Sequence, residues 1–136
     1  MSDLLAAAIA ARSQAYAPYS GYAVGAALLD EQGRIHVGCN VENVSYGLTI
    51  CAERSAVARM IAEGGIRIRE IALVTKDGGT PCGACLQVLL EFAEKPEELL
   101  VRIAGADGET RTCTLRDLLP QGFSSTEVRR TAPGRL

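Results

Sequence analysis

Five cysteines and a single histidine are the soft metal donors of this 136-residue chain, and three of the cysteines stand where spacing matters. "PCGAC" sets Cys82 and Cys85 at positions i and i+3. Where such a segment opens a helix, both sulfurs lie on one face. Cys51 begins a second amphipathic run, "CAERSAVARM", and the positive end of a helix stabilises the thiolate that a metal requires. Glu53 follows two residues later. An unpaired carboxylate is costly in a helix that has to be buried, so Glu53 calls for a task.

Three thiolates would occupy three corners of a tetrahedral Zn²⁺ and leave the fourth to water, the arrangement of a catalytic rather than a closed structural site. A carboxylate beside that corner, without being a ligand itself, is placed to carry protons. Cys51, Cys82 and Cys85 are therefore the candidate ligands and Glu53 the candidate proton carrier. Three thiolates also make the site anionic and weaken its power to acidify water, and Arg54 is the candidate cation to offset them.

Plainer readings exist for each of these. Cys-x-x-Cys at a helix start is also the arrangement of a redox pair, but that leaves Cys51 and Glu53 unexplained. A purely structural zinc site would want a fourth protein ligand. Cys39 and Cys113 fall in strand-like runs and are read as small buried hydrophobes. His36, in an alternating strand, is expected at the surface or half-buried. A Ser or Cys hydrolase with a histidine base would have to use it, and no G-x-S-x-G elbow accompanies it.

The elements that must position these residues can be read from periodicity and breakers. Residues 3 to 16 carry apolar positions at helical spacing and stop before Pro18. "YAVGAALLD" and "RIHVGCNVE" flank the turn signal "EQGR", which predicts a hairpin over 22 to 42. Residues 51 to 64 read as helix, closed by Gly64 and Gly65. "RIREIALVT" ends in the near-continuous apolar run of a central strand. "CGACLQVLLEFAEK" is helical, "LLVRIAG" and "TRTCTL" form a second hairpin around "ADGE", "LRDLLP" is a short helical turn, and "RRTAPGRL" is expected to fray. Helices alternating with strands around two hairpins predict a mixed sheet layered by helices, in one domain over 1–136.

The totals narrow the partner. Fourteen Lys and Arg are scattered against sixteen Asp and Glu, for a net charge of −2, where a polynucleotide-binding protein usually shows a basic stripe. No apolar run approaches the roughly 20 residues of a membrane span. The opening segment has Asp3 before its apolar stretch and Arg12 after it, the reverse of a secretory leader. An odd number of cysteines sits better with reduced thiols than with a disulfide framework. A cytoplasmic protein acting on a small molecule, with no nucleic acid and no membrane, is the expectation.

Taken together, C-A-E over 51–53 followed by P-C-x-x-C over 81–85 resembles the signature of the zinc nucleoside and nucleobase deaminases. With Cys51 in the place of a histidine and "GCNVEN" upstream, the chain is similar to the small homotetrameric cytidine deaminases. The likeness runs through "AYAPYSGYAVGAAL", "CNVENVSYGLTICAERSA", "PCGACLQVL" and "LRDLLPQGF".

That resemblance implies a three-layer α/β/α sandwich with a mixed sheet of about five strands, one zinc per subunit, and a homotetramer with shared active sites. It implies hydrolysis of cytidine and deoxycytidine to uridine and deoxyuridine in pyrimidine salvage. Water attacks C4, and Glu53 delivers a proton to N3 and then to the departing amine. It further implies that Asn40 and Glu42 hold the ribose hydroxyls and that the backbone near Ala52, with Glu53, reads the pyrimidine. Tyr22, where relatives commonly have Phe, lines the pocket; Tyr46 is a subunit contact near the substrate; Phe123 reaches the base from a neighbouring subunit. Leu86 departs from the pattern, since many relatives carry Arg directly after the second cysteine of P-C-x-x-C. Two other readings remain open at this level: a zinc-stabilised binding module without catalysis, and a deaminase of another aminated heterocycle.

Overall fold

The computed structural model describes residues 3–124. Ten elements follow one another: α1 (Asp3–Arg12), β1 (Gly25–Asp30), β2 (Ile35–Cys39), a 3-10 turn (Tyr46–Leu48), α2 (Ala52–Ala62), β3 (Ile68–Thr75), α3 (Gly83–Phe92), β4 (Leu100–Gly105), β5 (Thr110–Thr114) and α4 (Leu115–Leu118). Both hairpins expected from the turn signals are present, as β1–β2 and β4–β5. The stretch read as a fraying tail lies outside the described residues.

One five-stranded sheet carries the fold in the order β2-β1-β3-β4-β5. β3 is central and runs parallel to β4, and the other neighbours are antiparallel. A parallel pair cannot be joined by a tight turn, so α3 makes the crossover from β3 to β4. Its start is thereby fixed beside the end of the central strand.

Alternation along the strands builds the two faces. Ala27, Ala72, Val74 and Ala104 meet Leu4 and Ala8 of α1 on one face. Leu28, Ile71, Leu73, Val101 and Ile103 meet Ala56, Met60, Leu89 and Leu115 on the other, which holds the larger core. The result is the α/β/α layering with a mixed sheet that the resemblance implied. Gly38 lets α2 approach β2 closely: a Cβ there would fall 2.4 Å from the Ala56 amide nitrogen and 2.6 Å from the Ala52 carbonyl.

His36 corrects an expectation. It is 1% exposed, because β2 turns it to the α2 side, where each ring nitrogen finds a carboxylate: Nε2 lies 2.7 Å from Asp30 and Nδ1 lies 3.0 Å from Glu63. A polar ring is tolerated inside when its nitrogens have partners, and those partners lie on other elements where the strand pattern could not reveal them. Cys39 and Cys113 are half-buried rather than fully buried, the latter packed against the larger core.

Candidate active site

Two helix starts converge at one end of the sheet. Cys51 is the N-cap of α2 and Cys82 the N-cap of α3, both with extended backbone, and Cys85 lies in the first turn of α3, fully buried. The three sulfurs lie within 4.8 Å of one another. Tetrahedral zinc with Zn–S bonds of about 2.3 Å needs sulfurs about 3.8 Å apart, so the cluster fits that ion with a slight contraction.

Their mutual electrostatics point the same way. Hydrogen bonding from Cys85 drives the Cys51 thiol down to about 5, against burial and with help from Arg54. Cys85 is pushed up in turn by Cys51 and by its own burial. Thiols this close carry negative charge together only when a cation joins them. Arg54 brings Nη2 to 3.5 Å from Cys51 Sγ, and its Nε is buried without a partner. Leu86 packs into the larger core, so its position contributes no charge to the sulfurs.

Glu53 stands in the first turn of α2 and is only 5% exposed. Burial, against the hydrogen bond from its own backbone amide, pushes its carboxyl up to about 7. An acid poised near neutrality can both take and return a proton.

Glu53 opens into a cavity of about 320 Å³ whose wall includes Cys51, Ala52 and Cys82 at one end and Tyr22, Asn40 and Glu42 at the other. The segment after β2 is held in place by Tyr16 and Ile50, which bridge Val41 on either side. Asn40 donates from Nδ2 to the Tyr22 carbonyl at 2.7 Å and accepts at Oδ1 from the Val24 amide at 2.9 Å. Glu42 accepts from the amides of Tyr19 and Ser20 at 2.9 and 3.1 Å and from the Ser20 hydroxyl. These bonds hold its carboxyl below the usual range, the Ser20 hydroxyl foremost.

Not every residue singled out from the sequence lines that cavity. Tyr46 borders an adjoining hollow with Tyr19, Ser20, Glu42 and Thr49, and its ring meets Tyr19 edge-on at 5.9 Å. Phe123 is 66% exposed, its carbonyl accepting from Gln87 Nε2 at 2.8 Å. Ser20, Thr75 and Asp77 went unnoticed in the sequence. Ser20 follows the helix-ending proline, and Asp77 precedes two glycines, positions that read as ordinary turn chemistry.

The model of the cytidine and deoxycytidylate deaminase zinc-binding region matches residues 1–99. The chain belongs to that family. It is 47% identical over 122 residues to the cytidine deaminase of Mycobacterium tuberculosis strain H37Rv, covering 88% of this chain and 86% of that one. With the cytidine deaminase of Sporosarcina psychrophila it shares 40% over 130 residues, 94% of each chain. The crystal structure of the Burkholderia pseudomallei cytidine deaminase superposes with a TM-score of 0.84 at 45% identity, covering 90% of this chain and 100% of that one. The family model describes a zinc-binding region, and the donor set of the thiol cluster is consistent with one zinc per chain.

Proposed function

We propose that the chain hydrolyses cytidine and deoxycytidine to uridine and deoxyuridine, releasing ammonia, with Cys51, Cys82 and Cys85 holding one Zn²⁺ and Glu53 moving the protons. The observation that carries this reading is a buried carboxyl, poised near neutrality, sharing one cavity with two thiols of the cluster and with Asn40 and Glu42. Curated relatives at 40–47% identity that carry the name cytidine deaminase support the reaction.

Zinc bound there supplies an acidified water as nucleophile and Lewis acidity at the reacting carbon. Glu53 takes one proton from the attacking water and passes it to pyrimidine N3, then takes the second from the new C4 hydroxyl and delivers it to the exocyclic amine, which leaves as ammonia. Water and cytidine then balance uridine and ammonia. The Ala52 backbone and Glu53 orient the pyrimidine, while Asn40 and Glu42 take the ribose hydroxyls. Each of the two keeps unused hydrogen-bonding capacity beyond the bonds that hold it. Tyr22 walls the sugar side.

Val44, Tyr46, Leu48 and Phe123 are each 66% exposed or more. Large side chains left this bare fit burial against neighbouring copies, which supports a homotetramer in which Tyr46 and Phe123 complete a neighbour's site. One sheet extending from β2 to β5 fits a single catalytic domain over 1–136. Three thiols in the site suit a reducing cytoplasm, and hydrolysis of a free nucleoside suits a role in pyrimidine salvage. No helix among the described residues is long and apolar enough to cross a membrane.

The test is ammonia release from cytidine by the zinc-loaded chain, with Glu53→Ala as control. Release that vanishes in the control supports the assignment. Release that persists in the control would remove Glu53 from the mechanism, and zinc binding without turnover of either nucleoside would remove the substrate.

A further inference from the structure

Tyr22 stands at a junction of three segments remote in sequence. Its amide donates to the Ser20 hydroxyl at 3.0 Å, and its carbonyl accepts from Asn40 at 2.7 Å. Its own hydroxyl crosses to the loop after β3, donating to Asp77 Oδ1 at 2.6 Å. That loop is folded tightly around the contact. Thr75 Oγ1 accepts from the amides of Gly78 and Gly79 at 2.8 and 3.0 Å and donates to the same Asp77 oxygen at 3.4 Å. Gly79 has no room for a side chain without crowding the phenol, since a Cβ there would lie 3.1 Å from the Tyr22 hydroxyl. Gly78, at φ +73°, turns the chain in the left-handed region.

We propose that Asp77 is a positioning residue for the nucleoside: by holding the Tyr22 hydroxyl it fixes the aromatic wall of the cavity to the loop that leads to Cys82. This rests on the deaminase reading above and extends it to a residue outside the cavity wall. Tyr22, Thr75, Gly79, Thr80 and Cys82 all line the same cavity, so the contact joins the sugar-side wall to the thiol side. Because its hydroxyl is engaged by Asp77, Tyr22 offers the nucleoside ring carbon rather than a competing hydrogen bond. The charge states agree with this geometry. Burial, then Asp77, pushes the Tyr22 phenol up, and the Tyr22 hydroxyl is the leading cause that holds Asp77 below the usual carboxylate range. A neutral phenol donating to an anion is the stronger class of hydrogen bond.

Asp77 is exposed and at a loop, so its replacement leaves the core untouched. The experiment measures KM and kcat for cytidine, with zinc content, in the full zinc-loaded chain and in Asp77→Ala, Tyr22→Phe and the double variant. Asp77→Ala is expected to raise KM about tenfold, the effect of losing one charged hydrogen bond. Most of the loss in kcat/KM should lie in KM, with zinc content held at the wild-type level. Tyr22→Phe should behave alike, and the double variant should be no worse than either, because both changes break one contact. An active wild type whose Asp77→Ala variant keeps its KM would overturn this inference alone, as would a loss confined to thermal stability or to zinc content. Additive effects in the double variant would overturn it too. A wild type that releases no ammonia from cytidine would overturn the functional reading, and this inference with it.

Discussion

Arg54 Nη2 lies 3.5 Å from Cys51 Sγ, one helical turn beyond the residue that caps α2. The side chain is half-buried against the thiol cluster, and Cys51 and Cys85 both favour its charged form. A cation at that distance stabilises thiolates and so the metal they hold. Arg54→Gln should therefore weaken zinc affinity about tenfold or more. Competition with a chromogenic chelator measures it, and wild-type affinity in the variant would show the contact to be idle.

Glu53→Gln keeps the shape of the side chain and removes its proton chemistry. Since Glu53 is not a candidate ligand, zinc content should stay at the wild-type level while kcat falls by a factor of about 10² to 10⁴. Metal analysis beside steady-state kinetics separates the two. Loss of zinc in parallel with activity would make the residue a structural support for the cluster instead.

Acid should loosen the β1–β2 hairpin from α2 through Asp30. Burial alone would raise this carboxyl, but the hydrogen bond from His36 leads a set, with Arg34 and Gln32, that holds it well below the usual range. Its folded value lies under its ordinary value of 3.8, so its stabilisation is complete above that value and is lost as pH falls through the folded one. Urea unfolding should show stability level from pH 7 to about pH 5 and falling below about pH 4. Asp30→Asn should cost about 3–5 kcal/mol at pH 7, as breaking a buried ion pair does. It should also shallow the acid slope; Glu31 and Glu63 are held low as well, so some slope remains. An unaltered slope in the variant would remove Asp30 as its source.

Gly38→Ala tests the seating of α2. The added methyl would meet Ala56 and Ala52 backbone at 2.4 and 2.6 Å, so the helix has to move. A cost of about 1–3 kcal/mol is expected, read as a lower Tm. Because the same helix begins at Cys51 and carries Glu53, zinc affinity should drop with it. A variant of wild-type stability and affinity would mean that α2 is free to shift without consequence.

What the sequence determined by itself was local. Cys82 and Cys85 share a helix start because three positions make about one turn, and Glu53 follows Cys51 into the first turn of α2 for the same reason. The two hairpins and the apolar end of β3 were legible because turn residues and strand alternation act over a few positions. Family resemblance added the candidate roles of Asn40 and Glu42, which spacing alone left as turn and strand residues.

Tertiary structure decided what those segments meet. Cys51 reaches Cys82 and Cys85 only because α2 and α3 pack on one face of the sheet with their starts together. His36 is buried because Asp30 and Glu63 arrive from other elements, and Asp77 joins the site because its loop folds back onto the Tyr22 hydroxyl. Tyr46 and Phe123 lie outside the cavity of the single chain. Local preference cannot specify such meetings: contacts between remote segments are selected by the packing of whole faces, whose energy is shared among many residues.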